Sequence, residues 1–205
     1  MRYILSDLDG VLVDSGDAVE RVWREWAVEH GIDPDEVGRA SHGVPSPAIV
    51  QRVAPHLYSE EEIERIERRH AATGGTALPG AAELLQRENV GVVTSCTPEL
   101  AAARLRAAGL PTPAILITRD LTERGKPHPD PYLAGAKALG ADPANCLVFE
   151  DAPAGIAAAK AAGMTVWGVT TTHARDELTG ADKVVADLDE ACGLLALASS
   201  RERLD

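Results

Sequence analysis

The sequence predicts an α/β fold: a Rossmann-like core with a parallel sheet and helices on both faces, plus a small all-helical segment inserted after the first strand. From residue 80 onward, short β-branched runs alternate with helical patterns, as they do in parallel α/β sheets. An apolar run at residues 3–5 leads into an acidic turn, which indicates a buried strand that ends at a ligand-binding edge. Residues 15–78 lack this alternation and carry apolar side chains at helical spacing.

The helical insert sets the expected domain boundaries. Residues 1–14 and 79–205 are assigned to the α/β core, and residues 15–78 to the insert. The size of the insert is within the range of small domains. Since it begins directly after the acidic turn, it is placed to cover whatever binds there.

Three helices are expected within the insert. Apolar side chains at helical spacing precede Gly31, which is suited to end the first helix. Ser59 is a good N-cap for the clearest helix, with Glu62 as its partner in a capping box. A shorter helix is expected at residues 47–53.

The core elements follow one another at short spacing. Strands are expected at residues 90–93, 114–117, 146–149, 165–169 and 183–185, and helices at residues 97–105, 130–139, 153–162 and 188–198. Thr97 and Pro98 are typical of a helix start, because the hydroxyl can cap the helix and proline suits its first turn.

Composition and charge restrict the function classes. The formal net charge of −12 argues against a nucleic-acid partner, and it requires an anionic ligand to find a local cationic site. The three widely spaced cysteines indicate reduced thiols rather than a disulfide framework. The first strand leaves no room for a signal peptide, and no apolar run approaches the roughly 20 residues that span a membrane. We therefore expect a cytoplasmic protein without a membrane partner, either a monomer or a weak homo-oligomer.

The acidic turn places Asp7 and Asp9 two residues apart at the end of the first strand. Residues at this spacing point to the same side of an extended chain, and Gly10 allows a sharp turn beside a ligand. Two converging acids indicate a cation site, a pair that shares a proton, or both. A bare Asp-x-Asp-Gly segment is more often a solvated turn.

Three more polar segments fall where predicted strands end or in the loops that follow: Thr94-Ser95, Lys126 and Glu150-Asp151. Taken alone, they are most simply a strand-end turn, a solvated loop lysine and helix-start acids. Because the carboxyl ends of parallel strands share one edge of the sheet, these segments can meet the acidic turn.

Together the four segments resemble the four motifs of the haloacid-dehalogenase-like (HAD) hydrolase superfamily, and the resemblance covers nearly the whole chain. Residues 125–132 and 150–163 are similar to the branch of sugar phosphatases and glycerol phosphatases that also contains β-phosphoglucomutase. The resemblance implies that the insert is a helical cap. It also implies a Mg²⁺-dependent phosphatase that hydrolyses a small phosphorylated sugar or polyol through an aspartyl-phosphate.

The resemblance further implies a role for each candidate residue. Asp7 is the expected nucleophile, and Asp9 is the acid that protonates the leaving alkoxide and then deprotonates water. Lys126 is the third expected catalytic residue. The expected Mg²⁺ ligands are Asp7, Asp9 through its backbone carbonyl, Glu150 and Asp151; the phosphate-binding candidates are Ser95, Cys96 and Lys126. Packing is the alternative role for the Cys96 thiol.

Two other functions are compatible with parts of this pattern. A receiver-like signalling module also carries a phospho-acceptor Asp, but it lacks the second acid and the helical insert. A phosphosugar mutase is the closer alternative. Mutases carry a cap His and a phosphate-gripping cap Arg, and the aligned residues here are Val19 and Ser46. These differences favour hydrolysis.

The cap contains the candidate residues for substrate recognition. Ser41-His42-Gly43 resembles the substrate loop of 2-deoxyglucose-6-phosphate and glycerol-phosphate phosphatases, which implies that His42 and Gly43 contact the substrate. Those relatives continue with Arg, whereas this chain continues with Val44. Arg39 and Arg52 are candidates for the missing cation. The expected partner is a small phosphorylated metabolite.

Overall fold

A computed structural model describes residues 3–41 and 44–201. The amino-terminal half consists of β1 (Tyr3–Ser6), β2 (Val13–Asp14), α1 (Gly16–Glu29), α2 (Pro34–Ser41), α3 (Ser46–Val53), α4 (Glu60–Thr73) and β3 (Thr76–Ala77). The remainder consists of α5 (Ala81–Leu85), β4 (Val90–Val93), α6 (Pro98–Ala107), β5 (Leu116–Ile117), α7 (Asp130–Ala138), β6 (Cys146–Glu150), α8 (Pro153–Ala161), β7 (Thr165–Val169), β8 (Lys183–Val185) and α9 (Leu188–Arg201).

The predicted α/β fold is confirmed. Among the described residues, six strands form a parallel sheet in the order β5-β4-β1-β6-β7-β8. β1 lies in the middle, with Ser6 opposite Val92 of β4 and opposite Phe149 of β6. This register brings the residues that follow β1, β4 and β6 out at one edge. The chain changes direction across the sheet at β1, and such switch points are where α/β proteins bind ligands.

The alternation of side chains along the strands builds two hydrophobic cores. Ile4 of β1 faces a cluster formed with α5, α6 and α9, whereas Leu5 faces a cluster formed with α7 and α8. Successive residues of a strand point to opposite faces, so the run at residues 3–5 serves both. Helices therefore cover both faces, as expected.

Helices α1–α4, which we call the helical unit, have a separate hydrophobic core. It is built around Trp23 and Trp26, whose rings meet edge to face with centroids 5.5 Å apart. Ser59 caps α4 as predicted, since its hydroxyl accepts from the backbone N–H of Glu62. The Glu62 carboxylate, however, accepts from the Trp26 indole at 2.6 Å, so this side chain ties α4 to α1.

The two strands that flank the helical unit were not predicted. β2 and β3 are only two residues long and pair with each other in an antiparallel ladder. They join the outgoing and returning segments of the chain. Two-residue strands carry too little periodicity to be recognised, and the same holds for the short helices α2 and α5. β5 is shorter than expected, although the Ile115 carbonyl still accepts from Val92.

No helix in the described part of the chain is both long enough and apolar enough to cross a membrane. The longest helices have 14 residues.

The core of the helical unit predicts a specific loss of stability. Ile66 is fully buried among the tryptophans, so Ile66→Ala should lower the free energy of unfolding by about 2–5 kcal/mol. The exposed Val28 on α1 offers a matched control, and Val28→Ala should change it by less than about 0.5 kcal/mol. Urea unfolding followed by tryptophan fluorescence measures both. Equal effects of the two variants would contradict a packed core in this unit.

Candidate active site

The acidic turn after β1 is shaped by backbone hydrogen bonds. The Asp7 N–H donates to Phe149 O at 3.0 Å, and Gly10 N–H donates to Val13 O at 2.8 Å. Gly10 has φ +80°, and a Cβ at this position would overlap the Asp151 carboxylate. Only glycine therefore allows the turn to approach the end of β6 this closely.

Lys126 lies in the loop before α7 and reaches the centre of the site. Its ammonium donates to Asp7 Oδ1 at 2.9 Å, to Glu150 Oε1 at 2.6 Å and to the Val93 carbonyl at 3.1 Å. Burial lowers the pKa of Lys126, but the Asp7 and Glu150 carboxylates outweigh burial and raise it overall. The ammonium thus keeps its charge and joins the ends of β1, β4 and β6.

Glu150 is held from several sides at the end of β6. The Tyr132 hydroxyl donates to its Oε1 at 2.6 Å, and the Ala152 N–H donates to its Oε2 at 3.3 Å. A Cβ on Gly155 of α8 would overlap this carboxylate. Each Glu150 oxygen therefore already accepts a hydrogen bond from the protein.

Asp151 is buried next to Glu150 and is held by residues 172 and 173. The Thr172 hydroxyl donates to its Oδ2, and His173 Nδ1 lies 2.9 Å from its backbone carbonyl. Burial raises the pKa of Asp151 well above its ordinary value, with the Glu150 and Asp7 charges acting in the same direction.

The three carboxylates form a compact acidic cluster. One oxygen each of Asp7, Glu150 and Asp151 lies within 4.8 Å of the others. Burial, reinforced by Glu150 and opposed by Lys126, raises the pKa of Asp7 to about 7. Three carboxylates and one ammonium carry a formal net charge of −2, so an oxygen-liganded divalent cation fits the donor set and its charge.

Asp9 has different neighbours from the three carboxylates of this cluster. The Ser15 hydroxyl donates to its Oδ1 at 2.5 Å, and the Cys96 thiol donates to its Oδ2 at 3.0 Å. Arg104 Nε lies 3.3 Å from Asp9 Oδ1. The two acids of the turn therefore lie in different surroundings: Asp7 contacts Lys126, and Asp9 contacts α6 and the start of α1.

A cavity of about 200 Å³ lies between the sheet edge and the helical unit. The core side contains the acidic cluster, Lys126, Asp9, Ser95 and Cys96, and the helical unit contributes Val19, Glu20, Trp23, Ser46, Glu67 and His70. Every predicted core residue thus meets at one cavity, at the edge expected from strand polarity.

The remaining sequence-based candidates have different outcomes. His42 and Gly43 lie outside the described residues; their described neighbours Ser41 and Val44 line the cavity. Arg39 and Arg52 are exposed and are not among the described residues that line it. Burial raises the pKa of the Cys96 thiol well above its ordinary value, so Cys96 is a thiol donor to Asp9. A phosphate contact by Cys96 stays a prediction.

Residues 1–163 match the family of haloacid dehalogenase-like hydrolases. The match covers more than half of the chain. The chain belongs to this family. It is 40% identical over 200 residues to hexitol phosphatase A of Escherichia coli K12, covering 91% of each chain. It is 35% identical to glycerol-1-phosphate phosphohydrolase 2 of Saccharomyces cerevisiae, covering 88% of this chain and 80% of that enzyme.

A solved structure of another HAD family hydrolase, from Deinococcus radiodurans with bound phosphate and sodium, superposes with a TM-score of 0.75. It is 29% identical and covers 97% of this chain and 96% of its own. The family resemblance drawn from the four motifs is confirmed.

Several residues of this HAD hydrolase site were not expected from the sequence. Tyr132 stands in a segment that carried the resemblance, but nothing in the sequence indicates that its hydroxyl holds Glu150. Arg119 lines the cavity and pairs with Glu67 at 2.7 Å, linking the core to α4. Arg104 is 1% exposed on a helix where an arginine is normally solvated, so no local signal identifies it.

The raised pKa of Asp7 predicts that a substitution removing the Asp7 carboxylate charge stabilises the protein, and that this gain depends on pH. The folded protein holds the Asp7 proton up to pH about 7, whereas the unfolded chain loses it near 3.8, so this group destabilises the fold as pH rises between those values. In EDTA, Asp7→Asn should therefore raise the free energy of unfolding at pH 8 by roughly 1–3 kcal/mol, and by less at pH 5.

Thermal unfolding at both pH values measures this gain. Asp176→Asn, at an exposed position, serves as the control and should leave the melting temperature nearly unchanged at either pH. A gain for Asp7→Asn that does not grow between pH 5 and pH 8 would contradict the uncompensated charge at Asp7.

Proposed function

We propose that this protein is a Mg²⁺-dependent phosphatase that hydrolyses a small phosphorylated sugar or polyol through an aspartyl-phosphate on Asp7. One observation carries the proposal: Asp7, Lys126 and the Glu150-Asp151 pair meet on the floor of a cavity that the helical unit covers. Membership of the HAD hydrolases and the similarity to a hexitol phosphatase and a glycerol-phosphate phosphohydrolase support it.

In the first half-reaction, an Asp7 carboxylate oxygen attacks phosphorus and the bond from phosphorus to the leaving oxygen breaks. Protonated Asp9 gives its proton to that leaving oxygen, so the alcohol departs neutral and Asp9 becomes a carboxylate. The position of Lys126, 2.9 Å from Asp7, suits it to neutralise phosphoryl oxygens during transfer.

In the second half-reaction, water attacks the phosphorus of the aspartyl-phosphate. The Asp9 carboxylate takes one proton from this water, and the bond between Asp7 and phosphorus breaks to release inorganic phosphate. Both acids return to their starting states. A nucleophile and a separate acid-base group are what distinguish turnover from a lasting phosphorylation signal.

Asp7, Asp151 and the Asp9 backbone carbonyl would hold Mg²⁺, with Glu150 behind them because its oxygens already accept from Lys126, Tyr132 and Ala152. When bound, the ion would offset the negative charge of the cluster and of the phosphate. Ser95 is partly exposed at the end of β4, and its place in the cavity suits a hydrogen bond to a phosphoryl oxygen.

We further propose that residues 15–78 act as a cap over this site. The helical unit has its own core and joins the rest of the chain at β2 and β3, so it can move as a unit and exclude water when closed. Its cavity-facing residues include Val19 and Ser46, at the positions where mutases carry His and Arg. The absence of that His and that Arg at these two positions favours water as the final acceptor.

The three cysteines are free and buried, which supports the proposal that the protein works in the reducing cytoplasm.

The mechanism predicts that Asp7→Asn abolishes phosphate release, because the amide cannot form the aspartyl-phosphate. Removal of divalent cations with EDTA should do the same, and Mg²⁺ should restore activity to the wild type but not to the variant. A malachite-green phosphate assay measures both. Turnover by Asp7→Asn, or full activity in EDTA, would contradict the mechanism.

The choice between phosphatase and mutase is tested by product analysis. A panel of sugar and polyol phosphates, including hexitol and glycerol phosphates, should yield inorganic phosphate. β-Glucose 1-phosphate with catalytic glucose 1,6-bisphosphate should give no glucose 6-phosphate above background, because the cap lacks the two mutase residues. Conversion to glucose 6-phosphate faster than phosphate release would favour the mutase.

A further inference from the structure

Arg104 is a buried charged residue that has no role in the proposed mechanism. It projects from α6 into the boundary between the core and the helical unit and is 1% exposed. Burial of a guanidinium costs free energy unless charged or polar partners surround it. Its partners should therefore show what it contributes.

The first partner of Arg104 is the segment that returns from the helical unit. Its Nη1 donates to the carbonyl of Gly74, which follows α4 directly. Gly74 has φ +77° and precedes β3, so the contact fixes the returning segment where it leaves the cap. Arg104 thus fixes one of the two connections between the cap and the core.

The second partner is Asp9. Arg104 Nε lies 3.3 Å from Asp9 Oδ1 and makes an ion pair, but this buried N–H makes no hydrogen bond to any described residue. A carboxylate this close needs only a small rotation to accept from it. Arg104 thus connects the returning segment to the acid-base group.

The outgoing connection reaches the same oxygen. Ser15 stands at the N-cap position of α1, yet its hydroxyl does not cap the helix and donates instead to Asp9 Oδ1 at 2.5 Å. Asp9 Oδ1 is therefore contacted from both chain segments that join the cap to the core. β2 and β3, which pair with each other, hold these two segments together.

We propose that Arg104 is a positioning residue that ties the orientation of the Asp9 carboxyl group to the seating of the cap. This inference rests on the proposed function, since it takes Asp9 as the acid-base group. With the cap seated, Gly74 O accepts from one side of the guanidinium, and Nε on the other side lies beside Asp9 Oδ1, which also accepts from the Ser15 hydroxyl. If the segment at Gly74 shifts, the guanidinium shifts with it and no longer fixes the orientation of the Asp9 carboxyl group.

The charge of Arg104 suits the first half-reaction, in which Asp9 gives up its proton. Protonated Asp9 transfers its proton to the leaving oxygen as the phosphorus–oxygen bond breaks, which leaves a carboxylate beside the guanidinium. The same carboxylate then takes a proton from the attacking water as the bond from Asp7 to phosphorus breaks. The guanidinium stabilises the carboxylate that the first proton transfer leaves on Asp9.

The other groups around Arg104 and Asp9 are consistent with a positioning role for Arg104. His70 of α4 packs close by, and burial together with the charge of Arg104 lowers its pKa to about 4, so it stays neutral. The Cys96 thiol holds the other Asp9 oxygen. Neither supplies a positive charge, so Arg104 is the cation that contacts Asp9 in the described part of the chain.

The test uses leaving groups that need the acid to different extents. 4-Nitrophenolate departs without protonation, whereas the alkoxide of glycerol 3-phosphate requires a proton. In rapid-quench single-turnover experiments with Mg²⁺, Arg104→Met should release 4-nitrophenolate within about twofold of the wild-type rate. Phosphoryl transfer from glycerol 3-phosphate should fall on the order of 10²-fold.

Three further variants separate positioning from a structural role. Arg106→Met removes an exposed arginine from the same helix and should change neither rate. Arg104→Lys keeps the charge, but one ammonium cannot replace a fork between Gly74 O and Asp9, so its loss with glycerol 3-phosphate should be intermediate. Ser15→Ala removes the contact from the outgoing segment and should also slow this substrate selectively. If Arg104→Met does not fold, as judged by thermal unfolding, the Lys and Ala variants decide.

The outcomes distinguish this inference from the proposed function. Equal losses with both substrates, or no loss with either, would overturn the role of Arg104 while the wild type still releases phosphate. If the wild type hydrolyses neither compound nor any of the sugar and polyol phosphates, the proposed function itself fails. A selective loss with glycerol 3-phosphate that follows the order Met, Lys, wild type supports the inference.

Discussion

The rest of the structure depends on the contacts of the buried Lys126 ammonium. It contacts Asp7, Glu150 and the Val93 carbonyl, and so joins the ends of three neighbouring strands. A buried charge is stable only when partners of opposite charge or suitable polarity surround it closely. Each neighbouring feature meets this requirement: the Tyr132 hydroxyl fixes Glu150, and Gly155 leaves room for the carboxylate.

The same cluster carries more negative charge than Lys126 can balance. Burial raises the pKa of both Asp7 and Asp151, because an ionised carboxylate loses hydration when it is buried. A bound divalent cation would offset this negative charge. In a chain with a net charge of −12, such a cation would also reduce the repulsion that an anionic substrate meets at the site.

The second organising feature is the boundary between the core and the helical unit. Two kinds of polar contact lie there among the described residues. Arg119 pairs with Glu67 at the cavity, and Asp9 is contacted by Ser15 and Arg104 near the two connecting segments. The first kind holds α4 near the site. The second kind makes the surroundings of Asp9 depend on how the helical unit is seated, because Arg104 also holds Gly74. Chemistry at the sheet edge and placement of the helical unit are thus linked through one acid.

The sequence by itself determined the parallel α/β fold and which core segments reach one edge of the sheet. Strand–helix alternation is a local property, and strand polarity alone sends the residues after β1, β4 and β6 to one edge. It did not reveal α2, α5, β2 or β3, which are too short for a periodic signal, or the roles of Tyr132 and Arg104. Only the tertiary structure decided those, because an arginine or tyrosine on a helix is ordinary until packing buries it beside a carboxylate. Asp7 and Asp9 lie two residues apart in one turn, and only the packing of distant segments places Lys126 beside Asp7 and Arg104 beside Asp9.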